Sequence, residues 1–160
     1  MEKINYRETN ESDTSWIEEF LASEWGSPII VTRGKTHDIR KIPGIVAELD
    51  GKPVGLATYV VEKENLELIT LNVLVKNNGI GTGLIEELKH IAEKNNCDRL
   101  WLITTNDNTD ALRFYQKKGF QISAIYPNAV EASRKIKPEI PSHGNDGIPI
   151  RDEVELEILI

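Results

Sequence analysis

The stretch VKNNGIGTGLIEEL places Gly79, Gly81 and Gly83 where an apolar, strand-like run gives way to a helix-like one. Glycine costs a helix roughly 1 kcal/mol against alanine, so a bare backbone there needs a cause. The exposed N–H groups of a first helical turn, together with the positive end of the helix dipole, attract anionic oxygen. Glycines let a phosphate approach without a Cβ in the way. The pattern therefore reads as a plain structural turn, a dinucleotide fingerprint, or a cradle for the pyrophosphate of coenzyme A. The dinucleotide fingerprint asks for a third glycine where Leu84 stands, and for an acid closing the next strand. The acid at that distance, Asp98, precedes the strand instead. A Walker motif would need Gly-Lys-Ser/Thr, which is absent.

Other chemistries lack their residues. The three histidines, His37, His90 and His143, lie far apart, and no HExxH or CxxC occurs, so no metal site is expected. No Gly-x-Ser-x-Gly elbow offers a serine nucleophile. The lone Cys97 cannot build a disulfide framework and suits a reducing, cytoplasmic setting. The 160 residues suit one domain, with 39% hydrophobic and 28% charged residues, as in a soluble globular chain. No apolar run approaches the ~20 residues of a membrane span, and MEKINYRETNESD is too polar for a secretory signal. A net charge of −7 argues against nucleic acid and suits cationic partners.

These residues need elements to position them. INYRET reads as a strand over 4–9. Asp13 or Thr14 caps a helix that carries Trp16, Ile17, Phe20, Leu21 and Trp25 and stops at Gly26. IIVTRG is a short strand, and KTHDIRKIPG a loop. GIVAELDGKPVGLATYVV is a hairpin about Asp50–Gly51. LELITLNVLV is a strand over 66–75, followed by a helix over 79–94 with Ile80, Leu84, Leu88, Ile91 and Ala92 on one face. RLWLITT (99–105) reads as a strand covered on both faces. A helix runs to Lys118, and FQISAIY (120–126) is a strand. After an irregular Pro/Gly-rich stretch with a short helix near 129–136, DEVELEILI closes as a half-buried strand. The order gives a mixed α/β sheet, mostly antiparallel, with helices on both faces, in a single domain over 1–160.

A second motif, NDNTDALRFYQKKGF, sets Asn108, Ala111, Phe114–Tyr115 and Gly119–Phe120 at spacings that resemble the cofactor-side signature of the GNAT family of N-acetyltransferases. The glycine turn resembles that family's R/Q-x-x-G-x-G/A pyrophosphate motif as Lys76-Asn77-Asn78-Gly79-Ile80-Gly81. The two stand one strand apart in the family's order, and the resemblance covers residues 1–126 with the last strand. RLWLITTNDNTDALRFYQKKGF and GIPIRDEVELE also look like a bacterial group of unassigned acceptor. Lys76 departs from Arg or Gln but keeps a cation for phosphate. The turn is about two residues shorter than usual and lacks the family's frequent proline.

The resemblance implies the acyl-CoA N-acyltransferase fold and direct acetyl transfer from acetyl-CoA, as co-substrate, to a primary amine of a small molecule or peptide. A CoA-binding sensor without turnover is the alternative. Lys76, Asn77, Asn78, Gly79, Ile80, Gly81, Thr82 and Gly83 would hold the pyrophosphate, while Val73, Leu74 and Val75 would pair with the pantetheine arm. An N–H there would meet the acetyl carbonyl. The strands 66–75 and 99–105 would part to make the slot. Tyr115 would protonate the leaving thiolate, and its plainer role is a core aromatic. Asn108, beside Ala111, would contact the CoA arm, cap its helix, or both. Glu67 would take the proton from the acceptor ammonium. His37 and Glu48 are acceptor-pocket candidates, with His37 also able to serve as a base at neutral pH. Dimers are common in the family, so a homodimer is one expectation.

Overall fold

The computed structural model describes residues 3–76 and 78–160, the side chain of Trp25 apart; the expectation for Asn77 lies outside the described residues. A seven-stranded sheet runs in the order β1 (Asn5–Glu8), β4 (Gly44–Leu49), β5 (Lys52–Glu62), β6 (Asn65–Val73), β7 (Arg99–Thr105), β9 (Glu153–Leu159), β8 (Gln121–Tyr126). Neighbours are antiparallel except β6 and β7, which are parallel and joined through α2 (Ile80–Lys94). A parallel pair needs such a crossover, and α2 supplies it.

Local chemistry explains the elements. Asp50 and Gly51 both take positive φ, 52° and 76°, the mirror-image turn that matches the twist of the strands it joins. The helix α1 (Thr14–Trp25) ends at Gly26, whose φ of 79° lets its N–H reach back to the Ala22 carbonyl. Asp13 does not cap α1. It accepts instead from Arg7, from Trp16 Nε1 and from the Asn10 backbone, closing a capping box around the 3-10 turn Glu11–Asp13.

Two apolar layers flank the sheet. Ile80, Leu84, Leu88, Ile91 and Ala92 of α2 are buried, as the periodicity requires, against Leu66, Leu68, Leu100, Leu102 and Leu156. On the other face, Ile17 and Leu21 of α1 pack with Ile30, Ile39 and Leu56. The expected burial of β7 on both faces is corrected: Leu100 and Leu102 are buried, but Trp101 and Ile103 are only half covered. The loop expected over 35–44 is also corrected. Lys35–Asp38 forms β3, pairing with β2 (Ile29–Thr32) in a hairpin separate from the main sheet. Four polar residues carry no apolar alternation, so the strand appears only through its partner.

The segment 127–151 holds α4 (Val130–Ile136) and then wraps back to the end of β7. Arg134 binds the carbonyls of Pro141 and Ile150, and Asn106 binds the backbone of Pro149, Arg151 and Asp152. Among the described residues no helix is long and apolar enough to cross a membrane.

Candidate active site

The β6–β7 ladder pairs Asn65–Leu68 with Arg99–Leu102 and stops, while both strands continue, to Val73 and Thr105. A slot of 110 Å³ opens beyond the last pair, lined by Ile69 to Leu71 on one side and Ile103 and Thr104 on the other. Its cause lies on the other edge of β6. Leu68 pairs with Tyr59 and Thr70 with Thr58, leaving Ile69 as an extra residue, a bulge that bends the strand away. The Thr58 and Thr70 hydroxyls bond at 2.6 Å just past it.

The bulge also decides which backbone groups face the slot. Leu74 N–H donates to the Val54 carbonyl at 2.8 Å. Antiparallel alternation then turns the N–H groups of Leu71 and Val73 toward the slot. The strand expected over 66–75 is thus shortened: β6 ends at Val73, Leu74 is committed to β5 and 47% exposed, and Val75 lies in a bend.

The helix α3 (Thr109–Lys117) forms one wall. Asn108 caps it, its side chain accepting from Ala111 N–H at 3.2 Å, and Asn108, Ala111 and Tyr115 all line the slot. Tyr115 is 7% exposed, its ring edge-on to Phe114 at 5.2 Å and Phe120 at 5.5 Å. Its hydroxyl has no hydrogen-bond partner among the described residues, and burial pushes the phenol well above its ordinary value.

The glycine turn has a divided explanation. Gly79, with φ of 69° and open space around it, caps α2 with no side-chain bond to the first-turn N–H groups. The expectation that all three glycines clear room for a ligand is corrected at the other two. A Cβ on Gly81 would lie 3.1 Å from the Phe114 ring, and one on Gly83 would lie 1.9 Å from the Tyr6 hydroxyl. Their bareness serves packing inside the protein. Lys76 and Asn78 beside the turn are exposed, Ile80 is buried, and Thr82 is half-buried.

Glu67 lies on the opposite face of the sheet from Tyr115, one residue before the slot begins. It is 9% exposed, and burial pushes its carboxyl up to about 7, with Glu62 and Glu155 adding to the rise. Lys35 and the Thr32 hydroxyl oppose that rise, although the hydroxyl makes no well-formed hydrogen bond. Glu67 also borders a cavity of 320 Å³ walled by Glu62, Lys63, Arg99 and Trp101. His37 is buried in the hairpin with Nε2 unpartnered, and burial, then Lys35, lowers its pKa. Glu48 is not brought to this site. Its carboxylate is held by Arg7 at 2.8 Å on the β1–β4 side of the sheet. His90 and His143 are exposed.

Sequence reasoning missed Glu153 and Asp107, both buried. Asp107 accepts from Thr105 Oγ1 and from Asn145 N–H, fixing the tail beside the slot, where Gly144 passes so closely that a Cβ would meet its carboxylate at 1.9 Å. Both acids looked like ordinary polar positions in the sequence, and only the returning tail and hairpin enclose them.

The sequence matches the Acetyltransferase (GNAT) family over residues 8–120. It is 39% identical over 146 residues to the Bacillus subtilis protein YdhI, covering 91% of each chain. Its fold is similar to that of an IAA acetyltransferase from Bacillus cereus (TM-score 0.72, 17% identity, 99% of this chain and 100% of that one). It is also similar to a GNAT acetyltransferase from Elizabethkingia anophelis solved with acetyl-CoA bound (TM-score 0.69, 20% identity, 98% of each chain). A seven-stranded sheet split after its parallel pair, a glycine-capped helix beside the split, and a family match over more than half of the sequence lead to one conclusion: the chain belongs to the Acetyltransferase (GNAT) family.

Proposed function

We propose that the protein is an acetyl-CoA-dependent N-acetyltransferase that moves the acetyl group directly to a primary amine. The observation that carries this reading is the slot between β6 and β7, with Tyr115 on one face of the sheet and Glu67 on the other. A thioester threaded through such a slot meets an acid from one side and an acceptor from the other. Acetyl-CoA bound in the similar Elizabethkingia fold supports the choice of co-substrate.

The uncapped N–H groups of Ile80, Gly81 and Thr82, with Lys76 nearby, hold the pyrophosphate. Val73 pairs with the pantetheine arm, and Leu71 N–H stabilises the oxyanion at the acetyl carbonyl. Glu67 takes a proton from the acceptor ammonium. The freed amine nitrogen forms a bond to the acetyl carbon, the carbon–sulfur bond breaks, Tyr115 gives its hydroxyl proton to the departing thiolate, and the second proton that the nitrogen sheds as it becomes an amide restores the phenol. The phenol starts protonated at neutral pH, as an acid must, and burial holds it so.

Tyr115→Phe tests the reading. It keeps both ring contacts and removes only the hydroxyl. Turnover, followed as free CoA with a panel of amines, falls by about 10²–10⁴-fold, while CoA affinity stays within about twofold. Unchanged turnover would assign the acid elsewhere, and CoA binding without release on any amine would favour a sensor.

A further inference from the structure

The hairpin β2–β3 lies over the face of the sheet that carries Glu67, pairs only with itself, and covers a second carboxylate. Glu153 is 3% exposed. One of its oxygens accepts from Arg33 N–H at 3.1 Å; the other is buried with no partner among the described residues. Thr32, the residue before Arg33, also has a buried hydroxyl without a partner, and it stands near Glu67. Two adjacent residues of the hairpin therefore meet two carboxylates. Glu67 comes from β6 and Glu153 from β9, on either side of the strand β7 that borders the slot. A buried carboxylate oxygen left without a donor is costly, by about 1–3 kcal/mol or more, and such a group asks for a cation.

We propose that Glu153 binds a second ammonium group of the acceptor, so that the preferred acceptor is an aliphatic diamine or polyamine with a short spacer between its nitrogens. This rests on the N-acetyltransferase reading and deepens it. Glu67 faces the reacting nitrogen. Glu153 and the Thr32 hydroxyl receive the other nitrogen. The spacer is bounded by the contacts that join the two carboxylates, the Thr32 hydroxyl beside Glu67 and the Arg33 N–H at 3.1 Å from Glu153; along the sheet Glu67 is level with Trp101 and Glu153 with Thr105, so a spacer of a few carbons is needed to bridge them. The net charge of −7 draws a dication more strongly than a monocation.

The test compares straight-chain monoamines with α,ω-diamines of two to five carbons on the wild type and on Glu153→Gln. Glutamine keeps an oxygen for Arg33 N–H and removes the charge. The wild type is expected to favour a diamine over its monoamine by about tenfold or more in kcat/KM, the scale of one charge-assisted hydrogen bond. Glu153→Gln erases that preference through KM and leaves the monoamine within about twofold. Calorimetry of the diamine on CoA-saturated protein gives a readout without turnover. Binding to the wild type that is lost in the variant supports the site even where no acetyl transfer occurs, an outcome that would sink the enzymatic reading alone. Equal rates for mono- and diamines, a variant that loses both equally, or no diamine binding would overturn the proposal.

Discussion

Glu67 carries the most quantitative consequence of this structure. Its carboxyl is raised from the ordinary 4.5 to about 7, with burial as the leading cause. Between those values the folded protein holds a proton there that the unfolded chain has released. Stability therefore falls as pH rises across this window and levels off above it. Each pH unit is worth about 1.4 kcal/mol, so full expression of the shift costs the folded state about 3 kcal/mol by pH 8. Glu67→Gln removes the titration and keeps the shape. Urea unfolding of both proteins at pH 5, 6, 7 and 8 gives the difference between them, in which histidine titrations common to both cancel. The variant is expected to gain on the wild type steadily between pH 5 and 7, by about 2–3 kcal/mol in all. In the same pair, the acidic limb of the wild-type rate profile, about tenfold per pH unit below 7, disappears from whatever activity the variant retains. A stability difference flat to within about 0.5 kcal/mol would refute the buried, protonated state, as 1.4 kcal/mol per unit leaves no room for it. The burial argument for Glu67 as a base would then go too.

Two other outcomes follow from packing and burial. Gly83→Ala drives a methyl to within 1.9 Å of the Tyr6 hydroxyl and 2.3 Å of its ring. It should cost about 1–3 kcal/mol in chemical denaturation, and Tyr6→Leu in the same chain should recover most of that loss; additive losses would show that Tyr6 is not the obstacle. His37 is buried neutral, its pKa lowered by burial and then by Lys35. Its contribution is present above its ordinary 6.5 and is lost as pH falls through the lower folded value. A wild-type melting temperature that drops faster than that of His37→Gln below pH 6.5 is the expected result, and parallel curves would contradict it.

Much of the fold is legible in the sequence because its signals are local. The apolar spacing along 80–92 needs only the helical period, and Asp50–Gly51 needs only its own φ preferences. Gly26 ends α1 for the same kind of reason. The motif around Asn108 and Tyr115 was readable because one helix fixes those residues relative to each other, cap to core. Strand β3 was not legible, since four polar residues become a strand only when β2 supplies hydrogen bonds.

What the sequence determined by itself, then, is which backbone stretches are helix or strand, where α2 begins without a side-chain cap, and which aromatic stands one helix away from it. Those depend on neighbours a few residues apart. The tertiary structure alone decided that Ile69 is extra, so that β6 leaves β7 at Leu68 and turns Leu71 and Val73 toward the gap. It also decided that Gly81 and Gly83 make room for Phe114 and Tyr6, that Glu48 belongs to Arg7, and that Glu153 ends with an oxygen that no donor among the described residues reaches. Each of these depends on strands and side chains distant in sequence meeting at a fixed register, and no spacing along one chain encodes a register with another.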